Sequence, residues 1–256
     1  MTPRERISQA IRTACARGEP ALIAYLTAGF PARAKFGEHL RAIAAVADVV
    51  EVGVPFTDPM ADGVTIQRAS LAALAQGVSL SWILAELEAL GEVRVPLLLM
   101  SYLNPLLAFG PTLAARARAA GIAGFIVPDL PLDESSQLRA ALDAEALALV
   151  QMVTPVTEPE RLKQLCAGSQ GFVYAVTMTG TTGKNVAVPE DVVQYLDAVR
   201  AASPLPVCAG FGIRSREQVA RLRGHVDGVV VGSALVEQLE RGADVAAWLR
   251  TLRPDT

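Results

Sequence analysis

The chain is poor in the residues that usually announce a reactive site. Its 256 residues include three cysteines, Cys15, Cys166 and Cys208. That odd number at wide spacing suggests neither a disulfide framework nor a zinc site, and the three read as small, largely buried hydrophobes. Two histidines, His39 and His225, have no metal-ligand spacing between them, so no metal is expected. The net charge is −3 and Lys and Arg do not cluster, which leaves out the basic stripe typical of nucleic-acid binding. No apolar run approaches the length of a membrane span: the longest, such as Pro96–Met100 and Val226–Val231, are short, and Met1–Gly18 is polar and amphipathic rather than signal-like. A soluble cytoplasmic protein is expected, and any acid–base chemistry has to lean on carboxylates.

What the chain does have is apolar mass. Hydrophobic residues make up 52% and charged ones 19%, which favours a sheet buried on both faces. Eight near-continuous apolar runs occur at Ala21–Thr27, Val49–Val54, Leu97–Ser101, Gly124–Val127, Ala148–Val153, Phe172–Val176, Pro206–Ala209 and Gly228–Val231. Helical periodicity fills the intervals from Arg33–Val46 through to Ser233–Glu240, and an amphipathic helix, Arg4–Ala16, precedes the first run as a lid-like element. Parallel strands need crossover helices, and eight such units favour closure into a (β/α)8 TIM barrel with an extra N-terminal helix, the open doubly wound sheet being the alternative. No linker or low-complexity tract divides the sequence, so residues 1–256 read as a single catalytic domain.

Three stretches carry chemistry. In DVVEVGVPFTDPMADGVTIQ (Asp48–Gln67) an apolar run holds Glu51, and a loop ruled by Gly53, Pro55, Pro59 and Gly63 then carries Asp58 and Asp62. An acid inside such a run is paired, exposed at the strand end, or catalytic. Asp58 and Asp62 read either as turn caps or as side chains held in place by a stiff loop. Near the other end, AGFGIRS (Ala209–Ser215) and VGSAL (Val231–Leu235) are glycine turns opening onto helices after runs seven and eight, where barrels often bind phosphate. The third stretch, MTGTTGKN (Met178–Asn185), suits either a loop closing over substrate or a flexible linker. It lacks P-loop spacing, since Lys184 is followed by Asn185.

At these residues, and at PALIAYLTAGFP (Pro20–Pro31), LLLMSYLNPLLAFG (Leu97–Gly110), IVPDLPLDES (Ile126–Ser135) and VTMTGTTG (Val176–Gly183), the chain closely resembles the tryptophan synthase α-subunit family over nearly its whole length. The resemblance implies a barrel lyase that cleaves indole-3-glycerol phosphate to indole and glyceraldehyde 3-phosphate without a cofactor. It implies Glu51 as general acid–base and Asp62 as the carboxylate at the indole N–H. Tyr174 and Thr182 would contact the substrate. The indole pocket would be lined by Tyr25, Met100, Tyr102, Phe211 and the loop near Asp129, and phosphate would lie on Gly183, Gly212, Gly232 and Ser233. The family works as an α2β2 complex whose β subunit carries pyridoxal phosphate, so Asp58 and the loop Tyr102–Asn104–Pro105 would face that partner.

The chain departs from the family at Val64, where proline is frequent, at Phe30, where aspartate is frequent, and at the added cation Lys184. These departures bear on loop stiffness and partner contacts and leave the reaction class alone. Two other enzymes fit the same residues: a free-standing lyase that releases indole without a β subunit, and another phosphate-binding barrel, such as a sugar-phosphate isomerase. A non-catalytic scaffold that only activates its partner is a further alternative.

Overall fold

The computed structural model describes residues 1–177, 190–210 and 212–253. Thr182, Gly183, Lys184 and Phe211 therefore lie outside the described residues. Eight parallel strands, β1 (Ala21–Thr27), β2 (Val49–Gly53), β3 (Leu97–Met100), β4 (Ile122–Ile126), β5 (Ala148–Val153), β6 (Val173–Val176), β7 (Val207–Gly210) and β8 (Gly228–Val231), close in sequential order. The closure joins β8 to β1 through Ala21–Leu22–Ile23–Ala24 against Gly228–Val229–Val230–Val231. Helices lie outside, as parallel crossovers require.

Alternation along the strands divides the apolar residues into two shells. Outward residues such as Leu22, Ala24, Leu26, Val50, Val52, Leu97 and Leu99 pack with the helices into the larger core. Inward residues, among them Ile23, Val49, Leu98, Val150, Phe172 and Cys208, form a smaller cluster inside the barrel. The amino-terminal helix Pro3–Ala16 belongs to the inner cluster: Ile7, Ile11 and Ala14 are fully buried against it. They meet Ala21, Val49, Ala123 and Ala148, which stand at or near the starts of their strands, so this helix stoppers the amino end of the barrel rather than covering its mouth. Thr2 and Glu5 cap its start reciprocally, and Ser8 Oγ donates to the Gly171 carbonyl.

Two aspartates fasten the same end. Asp48, just before β2, accepts from the Leu22 N–H at 2.8 Å and pairs with Arg17 at 3.0 Å and Arg253 at 2.9 Å. Asp227, just before β8, accepts from the Val207 N–H at 2.8 Å.

The sequence is silent on two helices. Leu103–Phe109 replaces the expected loop at Asn104 and Pro105, and Val245–Leu252 follows the last expected helix, with Asp244 accepting from the Ala247 N–H as its cap. Pro105 is tolerated because it stands in the first turn, where its missing N–H has no intrahelical acceptor in any case. Among the described residues no single helix is long and apolar enough to cross a membrane.

Candidate active site

A cavity opens at the carboxyl ends of the strands, and its wall includes Glu51, Asp62, Tyr25, Tyr174, Gly232 and Ser233. Glu51 lies in β2 in register with Tyr25 of β1 and Leu98 of β3, both inward residues, so the pleat turns its carboxyl into the barrel. It is wholly buried, and among the described residues neither carboxylate oxygen has a hydrogen-bond partner. Desolvation disfavours the charged form and pushes its pKa up to about 8. At neutral pH Glu51 therefore holds a proton inside an apolar barrel, which is the state a general acid needs.

Asp62 approaches from the loop after the same strand. Its N–H donates to the Pro59 carbonyl at 3.1 Å, and its own carbonyl accepts from Gln67 Nε2 at 2.9 Å, so the backbone is pinned on both sides. Burial raises its carboxyl to about 6, against the opposing pull of the Tyr102 hydroxyl. The two carboxyls thus have pKa values driven apart by their surroundings, a division that lets one carry a proton while the other accepts one.

Two tyrosines complete the wall by lying over glycines of neighbouring strands. A Cβ at Gly53 would stand 2.1 Å from the Tyr25 hydroxyl, and one at Gly210 would stand 2.6 Å from that of Tyr174. Glycine at these two strand ends lets a phenol ring cross the neighbouring backbone. Burial raises both phenols far above their ordinary value, so both remain neutral donors.

The phosphate reading rests on β7 and β8. Gly212 has φ +60°, a conformation that favours glycine, and Gly232 precedes the helix Ser233–Glu240. Both glycines and Ser233 face the same cavity as Glu51 and Asp62, and the first N–H groups of that helix have no intrahelical acceptor. Tyr25 bridges the two halves: its Cβ is 3.8 Å from the Cβ position at Gly232, while its ring lies over Gly53.

The structure brings together Tyr25, Glu51, Asp62, Met100, Tyr174, Gly212, Gly232 and Ser233. Tyr102 and Asp129 are not on this wall. Asp129 is exposed and accepts from the Leu103 N–H at 2.9 Å, so its carboxylate caps the helix Leu103–Phe109 from the neighbouring loop. Tyr102 stands behind Asp62, its hydroxyl accepting from the Ala61 N–H at 2.9 Å. Asp58 and Asn104 are exposed, as are Met60 and Leu107 beside them in the chain. Phe30, by contrast, is buried with Tyr25, Ala69 and Val236. Sequence reasoning misses Ile66, Pro128, Met152 and Val176 on the wall. For Met152 a signal exists, because it pairs in register with Tyr174 and so shares its inward face.

A family model described as tryptophan synthase alpha chain matches residues 11–251. The tryptophan synthase alpha chain of Nitratidesulfovibrio vulgaris strain Hildenborough is 44% identical over 248 residues, 96% of each chain, and that of Solidesulfovibrio magneticus is 45% identical over 246 residues, covering 95% of this chain and 96% of the relative. Among solved structures, tryptophan synthase of Mycobacterium tuberculosis superposes with a TM-score of 0.89 at 37% identity, 96% of each chain being covered. The extent of these matches and the barrel they share show that this chain belongs to the tryptophan synthase alpha chain family.

Proposed function

We propose that this chain is the lyase subunit that cleaves indole-3-glycerol phosphate to indole and glyceraldehyde 3-phosphate in tryptophan biosynthesis. Family membership supports the reaction class. One observation carries the assignment of residues: a wholly buried carboxyl without a hydrogen-bond partner among the described residues shares a cavity with a second carboxyl and with the glycine turns after β7 and β8.

The chemistry follows from these groups. With the phosphate on the backbone of Gly212, Gly232 and Ser233, the substrate extends across Tyr25 toward β2. Glu51 gives its proton to the ring carbon that bears the glyceryl chain while Asp62 takes the ring N–H proton. Glu51, now a carboxylate, removes the proton of the adjacent side-chain hydroxyl. The new C=O forms as the carbon–carbon bond breaks, and its electron pair returns to the ring, which recovers its nitrogen proton from Asp62. Both carboxyls end as they began, so the step needs no cofactor. Met100 and Tyr174 supply apolar wall to the indole; Thr182 and Phe211 as substrate contacts and Gly183 as a phosphate contact belong to the same proposal and rest on the family resemblance alone.

Substitution of Glu51 by Gln should abolish cleavage while leaving binding of a glycerol-phosphate ligand intact; full activity in this variant would end the assignment. Asp62→Asn should lose most activity while remaining folded, whereas unfolding would favour a turn-cap role.

The family implies a tryptophan synthase β subunit as partner. The α2β2 arrangement, with pyridoxal phosphate confined to the β subunit, and a cytoplasmic site of action are parts of the same proposal. Exposed Met60 and Leu107 beside Asp58, Asn104 and Pro105 supply an apolar and polar face for docking. Indole release by the purified chain, with and without an added β subunit, separates subunit from free-standing lyase. Activation of tenfold or more, about 1.4 kcal/mol of barrier, supports the subunit, and no activation favours the free-standing enzyme.

A further inference from the structure

The resemblance places Tyr102 on the wall of the indole pocket, yet the structure sets it one layer behind. Its ring is buried, 4% exposed, and stacks on Phe56 at 5.2 Å between centroids with planes 27° apart. Its hydroxyl accepts from the Ala61 N–H at 2.9 Å. That N–H belongs to the residue immediately before Asp62, whose carboxyl is itself a side-chain partner of the same phenol, so the oxygen that fixes the loop backbone has its own proton to give to the acid. A phenol that accepts from one residue and donates to the next defines both the height of the loop and the direction of the acid.

We propose that Tyr102 is a positioning residue for Asp62: it holds the loop through Ala61 and donates to the Asp62 carboxylate, orienting it toward the indole nitrogen, and does not itself contact the indole. The inference rests on the catalytic role proposed above for Asp62. A donor at the carboxylate stabilises its charged form, in keeping with the downward pull of Tyr102 on Asp62 and the upward push of Asp62 on the phenol. The other titratable groups facing this pair are Glu51 from β2, Tyr25 from β1, Tyr174 from β6 and, on the phenol side, Asp129. None of these is a cation, so removing the phenolic donor leaves Asp62 without this support, and its pKa should rise.

Asp62 works as a carboxylate, so activity falls as pH drops through its pKa, and loss of the donor moves that acid limb to higher pH. Tyr102→Phe removes one oxygen and leaves the ring stacked on Phe56. With the full chain assayed together with a tryptophan synthase β subunit, kcat should fall tenfold or more with KM within about threefold, and the acid limb of kcat/KM should shift upward. In an Asp62→Asn background the same substitution should change kcat by less than about twofold, since neighbours acting through one another are not additive. A raised KM with unchanged kcat and an unmoved limb would return Tyr102 to the pocket wall and overturn the inference, as would equal losses in both backgrounds. Wild-type behaviour of Tyr102→Phe beside an inactive Asp62→Asn would overturn this inference alone; full activity of Asp62→Asn would overturn the role of Asp62 and this inference with it.

Discussion

Glu51 charges the fold for its function, because a carboxyl buried without partners is held neutral against its own tendency to ionise. Below about pH 4.5 the folded and unfolded chains both carry the proton. Between there and the folded value of about 8 the unfolded chain ionises and the folded one does not, so stability is lost as pH rises, by about 1.4 kcal/mol per unit. The accumulated cost reaches about 3–4 kcal/mol at pH 7 and levels off above pH 8. Glu51→Gln, neutral at every pH, should therefore unfold at higher denaturant concentration than the wild type at pH 8 and show little advantage at pH 4.5. A constant difference across that range would mean that Glu51 finds a partner when folded. At this scale the sequence is partly legible. An acid within VVEVG stands out by composition, but the place of Tyr102 depends on where the Ala61 N–H comes to rest, which no spacing along the chain encodes.

Among the elements, the strands are the most legible, since β1, β5 and β8 coincide with their apolar runs and both faces of each must be buried. Leu103–Phe109 is illegible for a physical reason. Its seven residues include Pro105, which reads as a breaker, and its cap is supplied from another part of the chain, by Asp129. A helix so short owes its existence to that tertiary contact and to buried Leu106. Asp129→Ala should therefore lower stability by about 1 kcal/mol, the usual size of a lost cap. It should also weaken binding of a β subunit while leaving KM for the indole substrate near the wild-type value, measured by titrating one subunit with the other. A rise in KM with unchanged partner binding would instead put Asp129 at the substrate. Phe30 makes the complementary point: read as a departure near the partner-facing loop, it is buried in a small cluster with Tyr25, Ala69 and Val236, where its apolar ring supports Tyr25.

The whole molecule is held in register at the end remote from the chemistry. Asp48 joins the amino-terminal helix through Arg17, β1 through the Leu22 N–H, and the end of the last helix through Arg253, which also donates to the Val46 carbonyl. Removing Asp48 leaves the Leu22 N–H without its acceptor, while Arg253 keeps Glu19 and the Val46 carbonyl and Arg17 stays half exposed. Asp48→Ala should cost about 1–3 kcal/mol in urea unfolding, with kcat retained under conditions where the fold persists. A loss of activity in a fully folded variant would contradict that separation of stability from catalysis. The stopper formed by Ile7, Ile11 and Ala14 belongs to this same end, and it bears on traffic. With that end filled by the helix, the cavity at the carboxyl ends is where, among the described residues, Glu51 and Asp62 line open space. Indole freed beside them would leave toward that mouth, so a protein seated there would govern departure as well as entry, and would receive the indole before bulk water does.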